Sequence, residues 1–202
     1  MSGAPTIGVL ALQGDVREHL AALGSCGARV RAVRRPEEIE GLDGIVLPGG
    51  ESTTIDKLSR IFAVREPLVA ALRSGLPAFG SCAGMILLAE QVIDGTSDQL
   101  TFGGLDIAVR RNAFGRQTDS FEADVTMDHI EGGTVHAVFI RAPWVERIGE
   151  GVDVIGRVDV PGLDQSKVIA VQQGPVLATS FHPEVTDDLR IHQYFVDLVR
   201  SS

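Results

Sequence analysis

Apolar residues fall in short unbroken runs, separated by longer segments in which they recur at helical spacing. Ile7 to Leu12 (IGVLAL) is the first run; it meets a turn at Gly14, and after Asp15 the residues Val16, Leu20 and Leu23 share one helical face. Gly24 and Gly27 end that helix, Arg29 to Val33 predicts a second strand, and Gly44 to Leu47 (GIVL) predicts a third, stopped by Pro48-Gly49-Gly50. A helix is expected from Ser52 or Thr53, another over Glu66 to Leu72 closed by Gly75, then a short buried strand over Pro77 to Phe79 and a helix over Ala83 to Glu90. Strands alternating with helices call for parallel βαβ units, whose crossovers are right-handed and whose ligands sit beyond the carboxyl ends of the strands.

The pattern changes after Leu105. Strands are expected at Ile107 to Arg110, Phe121 to Met127, Val135 to Ile140, Val152 to Val160, Lys167 to Val171 and Val176 to Phe181. Asp187 to Val199 reads as a closing amphipathic helix with Leu189, Phe195, Val196 and Val199 on its apolar face. The length of 202 residues suits one domain, taken as residues 1–202. The 23 glycines and 9 prolines, against only 5% aromatics, favour alternating strands and helices over a sandwich rich in Tyr and Trp.

Charge narrows the partners. With 27 acidic and 18 basic side chains the formal charge is -9, so no field drives binding to nucleic acid or to anionic lipid. The longest uncharged run, Ser74 to Ala89, is too short for a membrane helix and contains Gly75, Pro77, Gly80 and Gly84. The start of the chain, Met1 to Leu12, has no basic leader region, which leads to the expectation of a soluble cytoplasmic protein. Two cysteines, Cys26 and Cys82, make no disulfide framework, and neither has a second Cys or a His at metal-ligand spacing, so at least one free thiol and no metal site are expected.

Gly80-Ser81-Cys82-Ala83-Gly84 places a thiol between two glycines at a predicted strand-to-helix junction, the spacing of a nucleophile elbow with Cys in place of Ser. A tight turn holds the sulfur clear of the sheet, and a following helix N-terminus favours a thiolate. On this motif alone a buried structural cysteine explains the pattern equally well. His182-Pro183-Glu184 follows the last predicted strand; Pro183 biases His182 toward extended backbone, and residues two apart in such backbone face the same side. Glu184 can then orient the imidazole while His182 serves Cys82 as a base, although a hydrogen-bonded surface pair fits the same three residues. His19, His129, His136 and His192 lack such an arrangement and are read as ordinary surface or core residues. Pro48-Gly49-Gly50-Glu51-Ser52 also ends a predicted strand; its glycines suit an oxyanion hole or a plain turn, and the Gly-Lys-Ser/Thr ending of a phosphate loop is absent.

Together the elbow and His182-Pro183-Glu184 resemble the Cys-His-Glu triad of class I glutamine amidotransferases. More narrowly, five blocks are similar to the glutaminase subunits of pyridoxal 5′-phosphate synthases: Ala11 to His19 (ALQGDVREH), Leu47 to Thr54 (LPGGESTT), Arg111 to Glu122 (RNAFGRQTDSFE), Phe139 to Pro143 (FIRAP) and Ser180 to Glu184 (SFHPE). The blocks run in order from the first strand to the last. Ser81 departs slightly, since a Thr is common beside that cysteine, and Asp159 to Gln165 matches no block and is expected to form a loop.

The resemblance implies a three-layer α/β/α sandwich with a mixed, mainly parallel sheet. It makes Cys82 the nucleophile, with His182 and Glu184 as its relay. Gly50, Glu51, Ser52, Arg111, Ile140 and Arg141 would bind L-glutamine, and Gly49, Gly50 and Ala83 would form the oxyanion hole. A free amino acid needs a cation for its carboxylate and an acceptor for its ammonium, which Arg111 or Arg141 and Glu51 can supply. No metal or organic cofactor is implied. Ammonia would pass to a separate synthase subunit in a large hetero-oligomeric complex, there to be joined to a pentose phosphate and a triose phosphate. A thiol peptidase on a similar scaffold would leave Arg111, Arg141 and Glu51 without a role, and a non-catalytic binding module would have no need of an intact triad.

Overall fold

The computed structural model describes residues 3–96, 98–111, 120–160 and 164–202. Residues 112–119 of the third block and 161–163 of the expected loop lie outside the described residues. The first half follows the predicted alternation: β1 (Thr6–Leu10), α1 (Val16–Ser25), β2 (Arg29–Val33), β3 (Gly44–Leu47), α2 (Ser52–Ile61), α3 (Arg65–Arg73), β4 (Ala78–Ser81) and α4 (Ala83–Leu88). Next come β5 (Ala89–Ile93), β6 (Leu105–Arg110), β7 (Ser120–Val125), β8 (Val135–Ile140), β9 (Trp144–Ile148), β10 (Asp153–Val158), β11 (Lys167–Gln173), β12 (Val176–Thr179) and α5 (Arg190–Ser201).

Ten strands form one sheet in the order β2-β1-β3-β4-β12-β11-β9-β6-β5, with β10 paired to β11, while β7 and β8 form a separate hairpin. Pairing is parallel from β2 to β12 and antiparallel where β11 meets its neighbours β9, β10 and β12. The central strands bury both faces, as parallel strands covered by helices do. Ile45, Leu47 and Ala78 face one core, with Ile55 of α2, Leu68 of α3 and Met85 of α4. Val46, Phe79 and Leu177 face the other, with Leu23 of α1 and Phe195 and Val199 of α5. This period-2 alternation makes a helix layer on each side, so the expected three layers are observed.

Three local expectations change. The helix expected over Ala83 to Glu90 stops at Leu88, because Ala89 turns to ψ 149° and begins β5, which pairs with β6. Strand β9 carries Glu146 and Arg147 in its middle and so hides from an apolar pattern; Arg110 Nε of β6 donates to Glu146 Oε1 at 2.5 Å across the pair. Leu189 is not on the apolar face of the last helix. It is 37% exposed at the helix start, where the next residue, Arg190, donates its backbone N–H to Asp188 Oδ1 at 3.0 Å.

Close backbone approach explains two glycines beside the thiol. A Cβ on Gly84 would lie 2.1 Å from the Leu47 carbonyl oxygen, and one on Gly80 would lie 2.5 Å from the Gly84 carbonyl carbon. Gly84→Ala is therefore expected to cost about 2 kcal/mol or more, since backbone must shift to admit the methyl. Gly24 in α1 has nothing within 4 Å of its Cβ position and no left-handed φ, so Gly24→Ala should add about 0.5–1 kcal/mol. Urea denaturation midpoints of the two variants check both signs.

Candidate functional site

Strands β3, β4 and β12 end at one level of the sheet, with Leu47 paired to Gly80 and Ser81 paired to Thr179. Cys82 follows β4 with φ 48° and ψ -100°, a strained conformation for a residue with a side chain, of order 1–3 kcal/mol. Its N–H donates to the Thr179 carbonyl of β12 at 2.8 Å, which ties the elbow to the strand that leads to His182. The glycine spacing read from the sequence thus produces the sharp junction, with α4 starting at Ala83.

His182 and Glu184 are both buried. His182 Nδ1 lies 2.8 Å from Glu184 Oε1, and a short 3-10 turn over Pro183–Val185 lets the carboxylate curl back beneath the ring. A second carboxylate meets the same nitrogen: Asp15 Oδ2 is 3.3 Å from Nδ1. Burial alone would lower the His182 pKa, but Asp15, then Cys82 and Glu184, outweigh it and push the value up to about 12. Burial would raise Glu184, yet His19 and His182 hold it well below the usual carboxylate range. Asp15, His182 and Glu184 offer ligand atoms within 4.8 Å of one another, and one oxygen of each carboxylate already meets the imidazole Nδ1.

A cavity of about 290 Å³ opens over the thiol. Gly50, Glu51, Ser52, Cys82, Arg111, Ile140, Arg141 and His182 all line it, so eight of the sequence-predicted residues meet at one place. Arg111 Nη2 donates to Glu51 Oε1 at 2.8 Å and its Nη1 to Gln99 Oε1 at 3.0 Å, while Gln99 Nε2 donates to Ser52 Oγ at 3.0 Å. Arg141 sits at φ 44° and makes no ion pair among the described residues. The Ile140 carbonyl oxygen is 3.9 Å from Cys82 Sγ. A larger groove of about 520 Å³ between β7 and β10 is lined by Asp124, Asp128 and Asp159 and has neither thiol nor imidazole.

The β1–α1 loop contributes residues that the sequence reading did not assign. Glu51 N–H donates to Gln13 Oε1 at 2.7 Å, and Asp15 N–H donates to the Gly49 carbonyl at 3.1 Å. Because the peptide is planar and trans, the Gly50 N–H points away from that loop. A Cβ on Gly14 would lie 1.8 Å from the Gly49 oxygen, and Gly50 adopts φ 151°, so both turns require glycine. His19 and His192 are fully buried core residues, and His19 also touches Glu184, a contact that the sequence reading did not anticipate. The Gln13-Gly14-Asp15 run inside the first block was the available signal for Gln13 and Asp15.

Fold and site define an α/β amidotransferase of the class I type. The chain belongs to the SNO glutamine amidotransferase family, whose model matches residues 9–201. It is 60% identical over 199 residues to the pyridoxal 5′-phosphate synthase subunit PdxT of Salinispora tropica, covering 98% of each chain. It is 62% identical over 198 residues to PdxT of Parafrankia sp., covering 98% of this chain and 95% of that one. A crystal structure of a glutamine amidotransferase superposes with a TM-score of 0.86 at 47% identity, over 96% of this chain and 98% of the other. PurLQS from Thermotoga maritima, at 18% identity and TM-score 0.67 over 99% of each chain, shares the fold.

Burial, then the charge of His19, lowers the His192 pKa to about 3, against an opposing effect of Glu184. An unfolded His192 takes up its proton near pH 6.5 and the folded one does not, so stability falls as pH drops from about 6.5 toward 3. For one proton the slope reaches about 1.4 kcal/mol per pH unit. His192→Gln should flatten the slope between about pH 6.5 and 5 in urea denaturation, above the range where carboxylates titrate. An unchanged slope would mean that His192 is charged in the folded chain.

Proposed function

We propose that this chain, as a single glutaminase domain over residues 1–202, hydrolyses L-glutamine to L-glutamate and ammonia for pyridoxal 5′-phosphate (vitamin B6) synthesis in the cytoplasm. Its partner is the synthase subunit that consumes the ammonia, within a large hetero-oligomeric complex, with no role for nucleic acid or membrane. Among the described residues no helix is long and apolar enough to cross a membrane. The observation that carries the reading is the shared cavity: Cys82 and His182 open into it beside Glu51 and Arg111, with Glu184 buried behind the imidazole. Its volume of about 290 Å³ suits a free amino acid.

The Cys82 thiolate attacks the side-chain amide carbon of glutamine, and the carbonyl electrons move onto oxygen. Backbone N–H groups around Gly49, Gly50 and Ala83 stabilise that oxyanion, a contribution of about 3 kcal/mol. His182 protonates the departing nitrogen, ammonia leaves, and a γ-glutamyl thioester remains on Cys82. His182 then takes a proton from water as it adds to the thioester, and glutamate departs with the thiolate restored. Cys82 is one of the groups that raise the His182 pKa, so consuming the thiolate charge makes the imidazolium a stronger acid when the leaving nitrogen needs its proton. Arg111 and Arg141 receive the substrate carboxylate and Glu51 its ammonium; Arg111 must loosen its pairing with Glu51 to do so. Ser52 and Ile140 complete the glutamine pocket. The reaction as written requires no metal or organic cofactor.

Two measurements test this account. Cys82→Ala should lower glutamine-dependent ammonia release by about 10⁴-fold or more with the synthase present. The same complex should still make cofactor from an ammonium salt, and near-wild-type hydrolysis by Cys82→Ala would refute the mechanism. Arg111→Ala or Arg141→Ala should raise the glutamine KM about tenfold or more, the worth of one charge-assisted hydrogen bond. Unchanged KM in both would remove the arginines from the substrate site.

A further inference from the structure

Behind the triad lies a second set of buried polar groups for which the hydrolytic steps have no use. His19 of α1 has Nε2 3.0 Å from Ser81 Oγ and 3.5 Å from Glu184 Oε2, and its Nδ1 is 3.0 Å from His192 Nε2 of α5. Ser81 Oγ lies 3.3 Å from Glu184 Oε1, the oxygen that meets His182. His19, Ser81 and His192 are all fully buried. Glu184 Oε2 and His192 Nδ1 are buried with no hydrogen-bond partner of normal length among the described residues.

These contacts determine where the protons sit. If His19 Nε2 carried a lone pair, that pair would face the Glu184 carboxylate, and the Ser81 proton would be drawn to Nε2, leaving Glu184 Oε1 without it. With a proton on Nε2 every contact is satisfied: Nε2–H donates to Ser81 Oγ and leans toward Glu184 Oε2, and the Ser81 hydroxyl donates to Glu184 Oε1. This holds whether His19 is neutral or charged. In the neutral form His192 Nε2–H donates to His19 Nδ1, and the orphan at His192 Nδ1 is a lone pair, which costs less to bury unpaired than an N–H.

We propose that His19 is a positioning residue for the triad, whose Nε2–H, shared with Ser81, clamps Glu184 from behind so that Oε1 stays on His182 Nδ1, with His192 fixing the plane of the His19 ring. The inference rests on the glutaminase reading for its kinetic consequence but not for its geometry. Without the clamp, a buried carboxylate can rotate and hold the imidazolium less well, so His182 would lose its proton at lower pH. The groups that face His182 are Asp15, Cys82 and Glu184. Those that face Glu184 are His19, Ser81 and His182, with Glu18 of α1 close enough to feel its charge.

The test uses His19→Leu, which removes the donor, His19→Gln, whose amide N–H can reach the same place, and Ser81→Ala as a smaller lesion. NMR titration of the histidine rings in the full chain, with His182 assigned through His182→Asn, reads the His182 midpoint directly. His19→Leu should lower it by at least about one pH unit, Ser81→Ala by less, and His19→Gln should restore most of the shift. In the complex with synthase, His19→Leu should lower kcat about tenfold while leaving the glutamine KM within about twofold. A chain that hydrolyses no glutamine would defeat the glutaminase reading and leave the NMR midpoints to decide the clamp. An unmoved His182 midpoint in folded His19→Leu and Ser81→Ala would overturn the clamp, as would His19→Gln behaving like His19→Leu.

Discussion

The site depends on the register of three adjacent parallel strands. β3, β4 and β12 pair so that Leu47 lies beside Gly80 and Ser81 beside Thr179, which brings three loops to one level at the carboxyl edge. The backbone hydrogen bond from Cys82 to Thr179 extends that pairing one residue past the strand end. A one-residue slip of β12 would turn its side chains to opposite faces and carry His182 away from the thiol. The pairing therefore sets both the core alternation and the approach of the Cys82 thiol to the His182 imidazole.

This register has local costs that neighbouring groups offset. Cys82 sits at φ 48°, and the turn around it closes only because Gly80 and Gly84 have no side chains. Glu184 is buried as a carboxylate, which is costly unless its charge is met. His182 meets it from the front, with His19 and Ser81 behind. Asp15 adds a second carboxylate to His182 from the β1–α1 loop, and the same loop fixes the Gly49–Glu51 turn through Gln13 and its own backbone. The cavity over the thiol, the Gly49–Glu51 turn and the His182–Glu184 pair thus all meet one short segment between β1 and α1.

Much of this was legible in the order of residues. β2, β3 and β8 have the bounds that their apolar runs predict, because each is flanked by turn residues. Glycine spacing and the His-Pro-Glu triplet single out Cys82, His182 and Glu184, the family resemblance assigns them to one triad, and the structure brings the three side chains together. The missing parts depend on contacts between distant segments. His19 and Glu184 are 165 positions apart in the chain and meet only when α1 packs near the end of β12, so although His19 closes the first matching block, helical periodicity alone gives it no partner. β5 and β9 escaped because charged side chains at the outer part of the sheet obscure their period, while Ala89 looked like one more helical turn after Leu88.

The central claim is that the β4–β12 register makes Cys82, and not Cys26, the group that bonds to substrate. Acid-quenching the chain with its synthase partner during turnover of glutamine, followed by peptide mass spectrometry, reads this directly. The account predicts one glutamyl group on the peptide containing Cys82, absent from Cys26 and removed by neutral hydroxylamine as a thioester should be. A glutamyl adduct on Cys26, or continued hydrolysis with Cys82 blocked by alkylation, would contradict it.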